Sequence, residues 1–260
     1  MRVSIVTITF NAAGTLQPTL DSVACQSHDD VEHLIIDGAS TDGTADIAQT
    51  YLREASANGR HEVRLLSEPD NGLYDAMNKG LRLATGDYIL FLNAGDRLPA
   101  PDTLAHVMEV AAMAGDGDHP AVLYGDTDII GPDGQFIAHR HLSPPKHLTW
   151  HSFRHGMLVC HQAFYARADL ARKTPYDTRY RYSADVDWCI RIMRKAEDEG
   201  ASLVRVPGVV ALYLKEGETT RHHRESLRER FEVMRHHYGL PVTMAMHAWF
   251  AIRETLRRLF

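Results

Sequence analysis

Four short apolar runs alternate with helix-like stretches through the first hundred residues, and this order restricts the fold more than any other feature of the 260-residue chain. The runs extend from Val3 to Phe10, Glu32 to Ile36, Val63 to Leu66 and Tyr88 to Leu92, and helices are expected over residues 15–25, 44–55, 73–83 and 101–114. The fourth run, Tyr88-Ile-Leu-Phe-Leu92, is apolar at every position, as in a strand covered on both faces. The expected fold class is therefore α/β, a doubly wound and mostly parallel sheet. Thr41 or Asp42 is the expected cap of the second helix.

Beyond Leu98 the alternation loosens. Strands are expected over 121–124 and 136–138 around the turn Gly131-Pro-Asp-Gly134, and Ser143-Pro144-Pro145 marks a break. Helices follow over 169–173, 185–199, 225–237 and 242–259. The expected organisation is one domain over 1–214, with a nucleotide-binding half (1–98) and an acceptor-side half (99–214), and a C-terminal helical extension over 215–260.

With 28 Lys and Arg against 34 Asp and Glu the net charge is −6, so no overall basic field favours nucleic acid and none is expected as a partner. From Lys215 onward nine basic residues face six acidic ones, net +3, which leaves −9 for the first 214 residues. Cys25, Cys160 and Cys189 lack CxxC spacing, which suggests neither a disulfide framework nor a cysteine zinc site and fits a reducing, cytoplasmic setting. Met1-Arg2 leads into an apolar run too short for a signal peptide, and no uncharged stretch is long enough to span a membrane.

In a parallel sheet, ligands sit at the carboxyl ends of the strands. There the first strand delivers Thr9, Phe10 and Asn11, the second Asp37, and the fourth Asn93 and Asp96. Taken singly these are ordinary turn residues; together they bring an aromatic ring, hydroxyl, amide and carboxylate groups to one edge. The chain has neither GxGxxG after the first strand nor GxxxxGK[ST], which disfavours a dinucleotide Rossmann site and a P-loop. Asp96, within Leu92-Asn-Ala-Gly-Asp96, is placed like a carboxylate through which Mn2+ or Mg2+ bridges to a diphosphate, or like a cap of the next turn.

Four segments then carry a resemblance: Thr7-Ile-Thr-Phe-Asn11, Ile36-Asp-Gly-Ala-Ser-Thr-Asp-Gly43, Asp70-Asn-Gly-Leu-Tyr-Asp-Ala-Met-Asn-Lys-Gly80 and Ala84-Thr-Gly-Asp-Tyr-Ile-Leu-Phe-Leu-Asn-Ala-Gly-Asp96. In order and spacing they resemble the motifs of family 2 glycosyltransferases with the GT-A fold, such as those of bacterial polysaccharide biosynthesis. Ser183-Ala-Asp-Val-Asp-Trp188 resembles, over a shorter span, the segment holding that family's catalytic carboxylate. The resemblance implies that Phe10 and Asn11 flank the nucleotide base with Thr9 beside them, that Asp37 accepts hydrogen bonds from base or ribose, and that Asn71 and Lys79 lie near the nucleotide. It further implies Asp96 as ligand of Mn2+ or Mg2+, although Asn93, Ala94 and Gly95 stand where many members carry further acidic residues.

By the same resemblance Asp185 is the general base, Ala184 replacing the usual preceding Glu, with Asp187 as its rival; residues two apart on a helix start point in different directions. Either carboxylate equally suits the N-terminal dipole of the helix that follows. The implied reaction is inverting transfer of a sugar from a nucleotide diphosphate, UDP by default because Asp37 suits a uracil edge, to a glycan or lipid-linked acceptor. His161, Gln162, Asp187 and Trp188 are expected on the acceptor side, and His222 stands where such enzymes supply a late metal-binding His. The other classes weighed are a sugar nucleotidyltransferase, disfavoured because Thr9 to Thr15 holds no basic residue, and a non-catalytic nucleotide-sugar binding protein. Residues 244–260 combine Trp249, Phe250 and Phe260 with Arg253, Arg257 and Arg258, the makings of either a peripheral membrane contact or a terminal helix packed on the domain.

Overall fold

The computed structural model describes residues 1–114, 119–215 and 223–259, with the backbone alone for His223, Glu254 and residues 256–259. Among the described residues eight strands form one sheet: β1 (Val3–Thr9), β2 (Val31–Asp37), β3 (Glu62–Ser67), β4 (Tyr88–Phe91), β5 (Val122–Ile130), β6 (Phe136–His139), β7 (Phe164–Arg167) and β8 (Leu203–Leu214). Their order is β3-β2-β1-β4-β7-β5-β6, with β8 paired to β5. The helices are α1 (Leu16–Ala24), α2 (Thr44–Asn58), α3 (Leu73–Leu83), α4 (Thr103–Met113), α5 (Ala168–Arg172), α6 (Ala184–Asp198), α7 (His223–Tyr238) and α8 (Leu240–Leu259).

All seven residues of β1 and of β2 are buried, as their Val/Ile-rich runs require when both faces are covered. One face packs against α1 and α2 through Leu16, Leu20, Ile35, Ala48, Tyr51 and Val63. The larger core spans both faces, joining Val3 and Ile5 with Val6 and Ile8 of β1 and taking in α3, α4 and α6. Helix α3 crosses β1 closely because residue 80 is Gly: a Cβ there would overlap the Val6 side chain.

The β1–β4 half is parallel, whereas β7 runs antiparallel to both β4 and β5. Two reversals restore direction, so β5, and β8 parallel to it, run with β1–β4. One edge of the sheet therefore collects the carboxyl ends of β1–β4 and β8 and the amino end of β7.

Strands β7 and β8 are not indicated by the sequence pattern. The first is only four residues long, and Pro207-Gly208 interrupts the second. The structure accommodates that pair as a bulge: the register with β5 shifts between Tyr124 and Asp126, and Gly208 adopts φ +90°. A second correction concerns the start of α2, where Gly43 occupies the cap position; Asp42 instead accepts the Thr44 N–H and hydroxyl through Oδ1.

Candidate active site

At the shared edge the loops after β1 and β2 are joined by four hydrogen bonds. The Asn11 N–H donates to Ser40 Oγ (2.8 Å), Thr41 N–H to Asn11 Oδ1 (3.0 Å), Ala12 N–H to Thr44 Oγ1 (2.8 Å) and Ala13 N–H to Asp42 Oδ2 (3.1 Å). Both ends turn through the left-handed region, Asn11 at φ +47° and Ala39 at φ +60°. That conformation is costly for alanine, and the cross-loop bonds hold it. Asp37 is buried beneath this rim, accepting from Ser40 N–H, Ser40 Oγ and Ser67 Oγ. It shapes the loop, and its oxygens are already engaged where the resemblance implies contact with a base or ribose. Thr9 Oγ1 is buried without a hydrogen-bond partner among the described residues.

Phe10 is 62% exposed, an unusual placement for a large apolar residue in a rim otherwise fixed. Opposite it stands Gly38: a Cβ there would lie 3.2 Å from the Phe10 ring and 2.6 Å from Asp70 Oδ2. Phe10 and Asp70 thus both close on Gly38, and only a residue without a side chain allows that approach. Sequence reasoning did not assign Asp70, although it opens the third quoted motif. Asp70 Oδ1 accepts the Gly72 N–H at 2.8 Å and orients the loop before α3. Lys79 supports that loop from below, donating to Pro69 O (2.7 Å) and pairing with Glu68 (2.9 Å). Asn71 is exposed, its N–H and Nδ2 both donating to Asp75 Oδ2.

Asp185 lies in the first turn of α6, its side chain 16% exposed. Oδ1 accepts from the Tyr74 hydroxyl (3.2 Å) and the Val186 N–H (2.9 Å), and Oδ2 is 3.4 Å from His161 Nδ1. Burial by itself raises this carboxyl; the His161 contact and the charge of Arg230 outweigh it and hold it below the usual range, so it is ionised at neutral pH. Burial and the charge of Asp185 drive the Tyr74 phenol well up, which keeps it a donor. His161 Nε2 in turn meets Asn93 Nδ2 at 3.3 Å, so the end of β4 is linked to the carboxylate through one imidazole.

Below Asp185 a stack of rings fixes the helix: Tyr74 on Tyr176 (5.5 Å) and Tyr176 on Trp188 (4.9 Å), with Trp188 Nε1 donating to Thr174 O at 2.7 Å. Trp188 is fully buried, so it is a core residue and does not line an acceptor. Asp187 is likewise internal: Oδ1 binds His237 Nε2 (2.8 Å) and Oδ2 binds Arg191 Nε (2.7 Å), tying α6 to α7. The 3.6-residue repeat turns it away from Asp185, which removes it as a rival base.

Asp96 requires the largest correction. It is 4% exposed, Oδ1 accepts the Leu214 N–H from the end of β8 (3.0 Å), and Oδ2 accepts from Gln162 Nε2 (2.8 Å). Burial pushes its carboxyl up to about 6 despite those two bonds. Asn93, Ala94 and Gly95 add no carboxylate, and among the described residues no group of three His, Cys, Asp or Glu converges. As placed, Asp96 has both carboxylate oxygens engaged by protein donors and clasps the loop after β4 to β8 and the 3-10 turn His161–Ala163. Gln162, 2% exposed, is part of that clasp and not of an acceptor surface. His222 lies outside the described residues.

Residues 4–173 match the family described as Glycosyl transferase family 2. A PGL/p-HBAD biosynthesis glycosyltransferase of Mycobacterium tuberculosis is 38% identical over 193 residues, covering 72% of this chain and 68% of the relative. The amylovoran biosynthesis glycosyltransferase AmsB of Erwinia amylovora is 27% identical, over 81% of this chain and 68% of AmsB. Among solved structures, S. aureus TarS 1-349 in complex with UDP-GlcNAc superposes with a TM-score of 0.63 at 19% identity, covering 90% of this chain and 65% of that one. The mannosyltransferase PcManGT of Pyrobaculum calidifontis, in complex with GDP-Man and Mn2+, gives 0.61 at 21% identity, over 96% and 75%. The chain spans 38% of the longer TarS chain. These structural likenesses establish the GT-A fold.

Proposed function

Because this chain belongs to glycosyltransferase family 2, we propose that it moves a sugar from a nucleotide diphosphate, a UDP-sugar, to a hydroxyl of a glycan or lipid-linked acceptor with inversion, and that Asp185 is the general base. The observation that carries this is the ionised, partly exposed Asp185 carboxylate, held by Tyr74 and His161 at the edge where β1, β2 and β4 end. In this assignment residues 1–98 hold the donor, with the base at the rim formed by Phe10, Gly38 and Asp70, 99–214 face the acceptor, and 215–260 are a C-terminal extension whose described residues include α7 and α8. The reaction belongs on the cytoplasmic side, where nucleotide sugars are available.

The acceptor oxygen attacks the anomeric carbon from the side opposite the diphosphate. As the new C–O bond forms, the bond to the diphosphate breaks, the diphosphate keeps the electron pair, and the hydroxyl proton passes to Asp185. A carboxylate already ionised needs no prior deprotonation, and proton transfer concerted with bond formation tolerates its low basicity. Tyr74 and His161 hold the carboxylate in position. The names of the curated relatives, one in PGL/p-HBAD biosynthesis and one in amylovoran biosynthesis, favour a glycolipid or polysaccharide acceptor. Asp185→Asn is the test: transfer is expected to fall about 10²–10⁴-fold with nucleoside diphosphate binding retained. Transfer at the wild-type rate would remove Asp185 as base.

A further inference from the structure

Helix α8 wears its apolar side outward. Its inward side packs on α7: Thr243 is buried, the His247 ring meets Phe231 at 5.0 Å, and Met246, Phe250 and Arg253 are partly buried. On the other side Met244, Ala245, Ala248, Trp249, Ala251 and Ile252 are all exposed. At 100° per residue these six fall within an arc of about 160°, and none carries a charge. Thr255, on the same arc, returns its hydroxyl to the Ala251 carbonyl at 2.8 Å. The three large side chains are half-exposed, Met244 56%, Trp249 49% and Ile252 53%. A contiguous apolar face of this kind, left without cover by the chain's own described residues, marks a contact surface.

We propose that this face docks on an anionic lipid bilayer, with α8 lying in the plane of the headgroups. Charge selects that occupant. Residues 240–260 hold three Arg (253, 257 and 258) against one Glu (254), net +2 with His neutral, in a chain of net charge −6. An acidic protein that carries a basic excess in the same segment as an uncovered apolar face is matched to negative headgroups. Trp249, with an apolar body and an N–H, is the residue type that settles at the headgroup level. Among the described residues no helix is long and apolar enough to cross a membrane, which leaves α8 to lie on the surface. Two copies paired through the same face would cover the apolar row yet bring together two segments of the same net positive charge. Such a surface would bring the enzyme to lipid-borne acceptors; its existence does not depend on the transfer chemistry, because binding is measured without nucleotide.

The test uses the full chain with phosphatidylcholine vesicles containing about 30% phosphatidylglycerol, read by co-sedimentation, with sedimentation velocity run in parallel. Wild type is expected to bind these vesicles, to bind pure phosphatidylcholine more weakly, and to release from the mixed vesicles as salt rises. Trp249→Glu and Ile252→Glu, both solvent-facing, should each lower the partition coefficient by at least about tenfold. Phe136→Glu, which charges an exposed aromatic elsewhere, should bind like wild type. Absence of vesicle binding, or binding unchanged by the two α8 substitutions, overturns the proposal. A wild-type dimer that the same substitutions convert to monomer, with no vesicle binding, assigns the face to a second copy and overturns it equally.

Discussion

Replacing Asp96 by Asn should change how stability depends on pH in one specific way. The wild-type carboxyl is buried and raised from 3.8 to about 6 in the folded state. For a carboxyl raised on folding, the folded state holds the proton more tightly. Its contribution is full below the unfolded pKa and is lost as pH climbs through the folded one. The whole difference is about two pH units at 1.36 kcal/mol each, or about 3 kcal/mol. At about pH 4.5 the unfolded carboxyl is already mostly ionised, so about 2 kcal/mol of it remains there and almost none at about pH 7.5. The amide that replaces the carboxyl does not titrate, and flipping the Gln162 amide offers its new Nδ2 an acceptor. Urea unfolding of both proteins at the two pH values gives the result as a double difference, in which other titrating groups such as the buried His33 cancel. Wild type minus Asp96→Asn should be more favourable at about pH 4.5 by about 2 kcal/mol. A flat difference, or one that grows with pH, would mean that Asp96 is already ionised in the folded protein at about pH 4.5, and its burial in the clasp to Gln162 and Leu214 would have to be abandoned. Because both Asp96 oxygens are already engaged by Leu214 and Gln162, any response of nucleotide binding to Mn2+ should be equal in wild type and Asp96→Asn.

Two further outcomes follow from the neighbourhood of Asp185. His161→Ala removes a contact that lowers the Asp185 carboxyl, so the acidic limb of the pH–rate profile should move to higher pH; an unmoved limb would separate His161 from Asp185. Trp188→Ala opens a cavity under α6 between Phe91, Phe164 and Tyr176 and should cost about 3–5 kcal/mol in urea unfolding, whereas a loss below about 1 kcal/mol would contradict its place in the core.

The parallel half of the fold was legible because its signals are local. Helix α3 follows from its own periodicity, and the burial of β1, β2 and β4 from unbroken apolar runs. Strand β8 was not, because Pro207-Gly208 reads as a break until a bulge opposite Gly125 and Asp126 absorbs it. In the site, strand ends and motif order located Phe10, Asn11, Asp37 and Asp185. What a motif cannot give is the direction of a side chain fixed by a distant partner. Asp96 turns inward because Leu214 and Gln162, 118 and 66 residues away, meet it there, and Asp187 turns to His237 across 50 residues. Asp70 was within a quoted motif but gains its place only when the loop after β3 folds over Gly38.

The most direct measurement is a thermal-shift titration of the full chain with UDP, GDP, dTDP and CMP, alone and with Mn2+, on wild type and Gly38→Val. A donor site at the rim of Phe10, Gly38 and Asp70 predicts stabilisation by one nucleoside diphosphate above the others, UDP first, and its loss when the valine side chain displaces Phe10 and Asp70 from residue 38. A folded wild type that responds to none of the four, or a Gly38→Val protein that responds as strongly as wild type, would contradict it.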